Sequence, residues 1–369
     1  MATPATGDKT LVFHIGDRKT GTTALQYAFA SGRVELKGHS LFYPAKISHN
    51  RLAGHFEALD PTASSPKARK KAEEACARLA QRIGDSEADL CLISGEMFES
   101  VPAATLQHVI DSQFADCADR IRVVAYVRPH AGRFLSGFTE RVKLGGQRAI
   151  GNDLDGFLDQ ALAARMILYH DRFSALKQAF GDRFVLRPMI PAQLHRNSVI
   201  EDFIRHGLGV EEFTLTGAAP ANESLGLEDL MRLKTLQRHF GHLTVPRLRM
   251  QIGAEFSHLV SQMPPPPIRT RLQLHRSVAD RLQEACRADA QAMDAAFFDG
   301  APLMETELNT ACANALETAQ SLDPADYLSA SEARSFEMMA QMIRSLLENT
   351  GQDWTSYLHD LRTRHVHGD

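Results

Sequence analysis

Residues Leu11 to Gln26 read L-V-F-H-I-G-D-R-K-T-G-T-T-A-L-Q, and this stretch decides the fold. Leu11 to Ile15 form an apolar, β-prone run, which predicts a buried strand. After Thr22 the apolar positions Leu25, Ala28 and Phe29 recur at helical spacing, with Thr22 or Thr23 expected to cap the start. Between them lies a loop with Gly16 and Gly21. A strand, a glycine-bearing loop and a helix N-terminus make an anion site, because loose backbone N–H groups and the positive helix end face one spot.

Outward from this stretch the pattern repeats. Asp89 to Ser94, Arg122 to Val127 and Arg183 to Met189 read as further buried strands, and Gly38 to Pro44 as a short one. Helical periodicity falls at 67–83, 107–114, 133–143, 154–180 and 199–206. Strands alternating with helices predict an α/β fold of the P-loop-like, three-layer class, with a central parallel sheet covered on both faces. In such sheets the ligand crevice lies outside the C-terminal strand ends. The polar clusters at Gly16 to Thr23, Ser94 to Glu96 and Arg128 to Ser136 each follow a predicted strand, so all three point at one crevice. From Glu223 onward only helices are expected, at 225–240, 246–263, 268–298, 304–320, 326–348 and 354–363. The proline run Pro264 to Pro267 is expected to form a rigid bend between two of them.

Composition narrows the function. With 44% hydrophobic and 23% charged residues, the chain is globular in character. A formal net charge of −4 with no clustered basic excess argues against a nucleic-acid partner. The basic K-A-R-K-K run from Lys67 reads as a solvated helix face. Five scattered cysteines without C-x-x-C spacing fit buried thiols in a reducing compartment, not disulfides or zinc. The first ten residues contain no apolar core of a signal peptide, and no run of about 18 apolar residues predicts a membrane span. A cytoplasmic location is the expectation. His239-Phe-Gly-His242 and His365-Val-His367 lack partners at metal-ligand spacing, so no metal is expected.

The loop spacing carries chemistry. In the Walker A pattern G-x-x-x-x-G-K-[ST], Gly16 and Gly21 hold the glycine positions and Thr23 the hydroxyl position, but Thr22 replaces the lysine. A lysine stands instead at Lys19, on the arch of the loop. This variant, H-I-G-x-x-K-T-G-T-T followed by an apolar residue and Gln, resembles the 5′-phosphosulfate loop of sulfotransferases that use PAPS (3′-phosphoadenosine 5′-phosphosulfate). The run V-R-P-H-A-G-R-F-L-S is similar to their 3′-phosphate motif, although proline follows the arginine directly. F-G-D-R-F-V-L-R-P, D-F-I-R-H-G-L-G and N-E-S-L extend the likeness to bacterial members over roughly residues 10–300.

The resemblance implies a domain plan: an α/β PAPS-binding core at 1–221, its helical completion at 222–304 and additional helices at 305–369. It implies that Lys19 neutralises charge on the leaving phosphate. Thr20, Gly21, Thr22 and Thr23 hold the 5′-phosphate, and Arg128 and Ser136 the 3′-phosphate, with Arg133 structural. The co-substrate is then PAPS, with no metal required, and the acceptor a hydroxyl of a saccharide or glycolipid. Glu96 is the first candidate for the catalytic base, His49 the second and His14 the third. Arg141 and Lys143 read as solvated charges rather than an acceptor site. Two other readings compete: an ATP-dependent small-molecule kinase with a variant P-loop, and a non-catalytic nucleotide-binding sensor.

Overall fold

The computed structural model describes residues 9–60, 62, 65–217, 225–240, 246–264, 268–349, 351 and 353–367. In chain order, β1 (Thr10–His14) leads to α1 (Thr22–Ala30), β2 (Val34–Leu36), β3 (Leu41–Phe42), α2 (Asn50–Ala58), α3 (Pro66–Gly84) and β4 (Leu90–Ser94). Then come α4 (Ala103–Gln113), β5 (Arg120–Val127), α5 (His130–Lys143), α6 (Gln147–Gly151), α7 (Leu154–Ala163) and α8 (His170–Phe180). Next are β6 (Phe184–Pro188), α9 (Val199–Asp202) and β7 (Phe213–Leu215). The remaining helices are α10 (Leu227–His239), α11 (Pro246–Gln262), α12 (Arg276–Phe297), α13 (Leu303–Ala313), α14 (Ala330–Asn349) and α15 (Trp354–His367). Two compact units result, residues 1–128 with 170–220 and residues 129–169 with 221–369.

The first unit is the α/β layer structure. Its five-stranded sheet has the order β3-β4-β1-β5-β6, and every pair is parallel. β1 is central, so its apolar run is buried on both sides. Val12, Leu92, Val124 and Tyr126 pack under Leu25 and Phe29 of α1 and under Phe203. On the opposite face Phe13 meets Phe56 of α2 at 6.3 Å and Phe114 at 5.4 Å between ring centroids. Alternate residues of one strand therefore feed two helical layers, the three-layer arrangement expected. After β1 the chain runs to β3 and β4 on one side, then to β5 and β6 on the other. The reversal occurs beside β1, where such folds open a crevice at the strand C-termini.

Several details depart from the sequence expectation. The polar stretch after Pro44 contains α2, which buries Leu52, Ala53 and Phe56. The two short strands β2 and β7 pair antiparallel outside the main sheet. The helix expected over 199–206 is α9 followed by a π-helical turn, Phe203–Leu208, in which a Cβ on Gly207 would stand 2.8 Å from the Phe203 ring. The helix expected from residue 268 begins only at Arg276. The proline run lies mostly outside the described residues, at 265–267.

The second unit is helical. α5 packs with α10, α11, α12 and α13, and the pairs α12–α13, α10–α14 and α11–α15 complete it. Buried polar side chains join its helices. Gln237 Nε2 donates to the Lys143 and Arg249 carbonyls at 2.9 and 3.1 Å, and Lys234 Nζ donates to the Leu322 carbonyl at 2.6 Å. Among the described residues of the chain, no helix is long and apolar enough to cross a membrane.

Candidate functional site

The loop after β1 turns on three left-handed residues: Gly16 (φ 77°), Lys19 (φ 68°) and Gly21 (φ 79°). The two glycines answer steric demands. A Cβ at Gly16 would stand 2.9 Å from Glu96 Cα, and one at Gly21 2.8 Å from Val199 Cγ1. Lys19 has a Cβ and so holds a conformation that costs about 1–2 kcal/mol, at the residue expected to carry the loop's cation. Gly21 is the N-cap of α1, and Thr22 is its first helical residue; neither threonine caps the helix as the sequence suggested. Glycine supplies no capping side chain, which leaves the first-turn N–H groups open to an anion.

The threonines work inward. Thr20 Oγ1 donates to the Asp17 carbonyl at 2.5 Å, and Thr22 Oγ1 lies 3.4 Å from the same oxygen. Both are buried and brace the loop, so what they can offer an anion is backbone N–H; Thr23 is exposed. Arg128, directly after β5, donates from Nη1 to the Lys19 carbonyl at 3.1 Å. The tips of β1 and β5 are thereby tied together through the two residues assigned to different phosphates.

The base candidates meet around the tip of β4. Ser94 ends β4, opposite His14 in the parallel register. Its Oγ is 2.8 Å from His14 Nδ1 and accepts from Gln26 Nε2 at 3.3 Å. The Ser94 N–H donates to His49 Nδ1 at 3.1 Å. Because that nitrogen accepts, the proton of a neutral His49 sits on Nε2. Burial lowers the His49 pKa to about 4 and that of His14 to about 3, so both rings are neutral near pH 7. Glu96 begins the turn beyond Ser94, is half-buried, and has its backbone against Gly16.

The first unit thus brings together Lys19, Thr20, Gly21, Thr22, Thr23, Glu96, His49 and Arg128. Ser136 and Arg133 belong to α5 of the second unit, where both are buried. At the start of that helix His130 Nε2 is 2.9 Å from Asp289 Oδ2. The Ser94 node with Gln26 was not assigned a role from sequence. Its signal was the Gln that closes the quoted stretch, one turn into α1 on the buried face.

The donor set suits a phosphorylated ligand: backbone N–H groups at an uncapped helix start, one lysine and one arginine, all within the first unit. Comparison with known proteins finds no family model, no curated protein and no solved structure that matches this chain.

Proposed function

We propose that the chain is a PAPS-dependent sulfotransferase that moves a sulfuryl group in line to an acceptor hydroxyl, with a saccharide or glycolipid as the acceptor class. The observation that carries this reading is the hydrogen bond from Arg128 to the Lys19 carbonyl. The 3′- and 5′-phosphates of PAPS sit on one ribose, so groups that hold them must be neighbours. ATP has no 3′-phosphate and would leave Arg128 unused. The Walker lysine position is filled by Thr22, buried and turned toward the Asp17 carbonyl, which also favours this donor over ATP.

In this reading the first-turn N–H groups of α1 and those of Thr20 and Gly21 bind the 5′-phosphate. Lys19 offsets charge growing on the bridging oxygen as the bond from sulfur to that oxygen breaks. Arg128 takes the 3′-phosphate; Ser136, the second ligand the resemblance implies, belongs to the second unit. The acceptor oxygen forms the new bond to sulfur, its proton passes to a base, and the 3′,5′-bisphosphate leaves. Glu96 is the better base of the named candidates. His49 carries its proton on the nitrogen that Ser94 leaves over, and burial keeps both histidines from accepting another.

Calorimetric binding of 3′,5′-ADP against 5′-ADP, with and without magnesium, tests the donor. A magnesium-independent preference for 3′,5′-ADP is expected. Arg128→Ala should weaken that ligand by about 1.5–3 kcal/mol, the range for hydrogen bonds to charged groups, and barely affect 5′-ADP. Equal binding of the two nucleotides, or a magnesium requirement, would return the chain to the kinase reading.

A further inference from the structure

Asp17 is a carboxylate inside an anion cradle. It lies between Gly16 and Lys19, and its side chain is wholly shielded from solvent. Left uncompensated, it would repel the phosphates that the loop is shaped to hold, and a buried charge is itself costly. A partner comes from α8: Arg172 Nη2 is 3.2 Å from Asp17 Oδ2. The same guanidinium reaches Glu99 Oε1 at 3.7 Å and lies 4.5 Å from the Phe173 ring centroid. Glu99 in turn accepts from the Arg18 backbone N–H at 3.1 Å. Two consecutive loop residues, Asp17 and Arg18, are therefore held from outside by one arginine and one glutamate that bridge to each other. Immediately after them stands Lys19 in its left-handed conformation.

We infer that Arg172 is the positioning residue of this loop: it neutralises Asp17 and, with Glu99, holds the turn that presents Lys19 and the Thr20–Thr23 N–H groups to an anion. The identity of that anion rests on the PAPS reading; the bracing of the loop does not. Arg172 fits this role because a planar guanidinium can face two carboxylates with separate nitrogens while stacking on an aromatic ring. Asp17 is fully shielded, so removing Arg172 leaves a charge the site cannot easily hydrate. An electrostatic role differs from a merely structural one in a testable way: deleting the opposite charge should rescue it.

The test uses the full-length chain with Arg172→Ala, Arg172→Lys, Asp17→Asn and the double variant Arg172→Ala/Asp17→Asn. Two quantities are read, amide hydrogen exchange across residues 16–23 and the dissociation constant for 3′,5′-ADP. Arg172→Ala should speed loop exchange and weaken 3′,5′-ADP by about tenfold or more, as expected for an unbalanced charge in a shielded site. Arg172→Lys keeps the charge but not the two-pronged, stacked geometry and should fall between the parent and Arg172→Ala, and the double variant should recover most of the loss. Parental exchange and affinity in Arg172→Ala would overturn the inference, as would a double variant no better than the single. If Arg172→Ala does not fold, the double variant decides alone, by folding with a protected loop or failing to. If the parent does not bind 3′,5′-ADP at all, the sulfotransferase reading falls, and the exchange comparison still decides whether Arg172 braces the loop.

Discussion

In the first unit the buried polar side chains His14, Asp17, Thr20, Gln26, His49 and Ser94 gather where parallel strands end. In the second, buried polar side chains are spread along helices: Lys234, Gln237 and Asp294 satisfy backbone groups, and His130 meets the Asp289 carboxylate. Asp294, for example, accepts from the Met304 and Glu305 N–H groups at 2.8 and 3.0 Å, capping the start of α13. The contrast follows from geometry. A parallel sheet ends all its strands on one side, so the loops that leave it collect polar groups at one place. Helices that pack side by side present backbone polar groups only at their ends, and a single long side chain can satisfy each end where it occurs.

This contrast can be broken by experiment. The largest effect is expected at Lys19. On the sulfotransferase reading proposed above, Lys19→Ala should lower turnover of PAPS by about 10²–10³-fold, the cost of removing one group that stabilises developing charge, with a much smaller change in 3′,5′-ADP affinity. Equal losses in both would show that Lys19 only binds the donor and plays no leaving-group role.

The next effect belongs to the second unit and should touch stability instead. Gly253 of α11 is buried where the Lys143 carbonyl oxygen ends α5, and a Cβ there would collide with that oxygen. Gly253→Ala should cost about 2–3 kcal/mol by overpacking, read as a lower urea midpoint. An unchanged midpoint would mean that these helices are free to shift, so that close packing does not distinguish the unit.

The smallest effect is a pH slope tied to the Ser94 node. His49 and His14 titrate near 6.5 when unfolded but are lowered to about 4 and about 3 by burial. Between those values the unfolded chain binds more protons, so stability rises with pH there and is lost as pH falls from about 6.5 toward 4. Each histidine contributes at most about 1.4 kcal/mol per pH unit. Thermal midpoints between pH 7 and 4 should show a shallower fall in His49→Asn than in the parent. Identical slopes would mean that His49 takes up its proton as readily in the folded chain as in the unfolded one.

Legibility in the sequence followed burial. β1, β4 and β5 were readable because a strand covered on both faces carries an apolar run, and β6, at the sheet edge, from the shorter apolar run F-V-L. β2 and β7 were not, since V-E-L and F-T-L are too short to show a period. α2 was hidden because N-R-L-A-G-H-F-E-A includes a glycine and many polar residues; its three buried side chains become meaningful only against the sheet. Of the candidate site, loop spacing singles out Gly16, Lys19 and Gly21, and the position at a strand tip singles out Arg128. Asp17 looked like a spacer residue, because nothing local reveals that its partner is Arg172 on a helix far along the chain.

By itself, then, the sequence determined the alternation of buried strands and helices and the order of three polar clusters after strand ends. Those features depend on local periodicity and on backbone demands that only glycine meets cheaply. Tertiary structure decided which strands are neighbours, and so which clusters share one end of the sheet. It also decided that residues 129–169 join the C-terminal helices and not the sheet that flanks them in sequence. The reason is physical: hydrogen bonds between strands, the neutralising of a buried charge and the packing of helix on helix are all made between residues far apart in the chain.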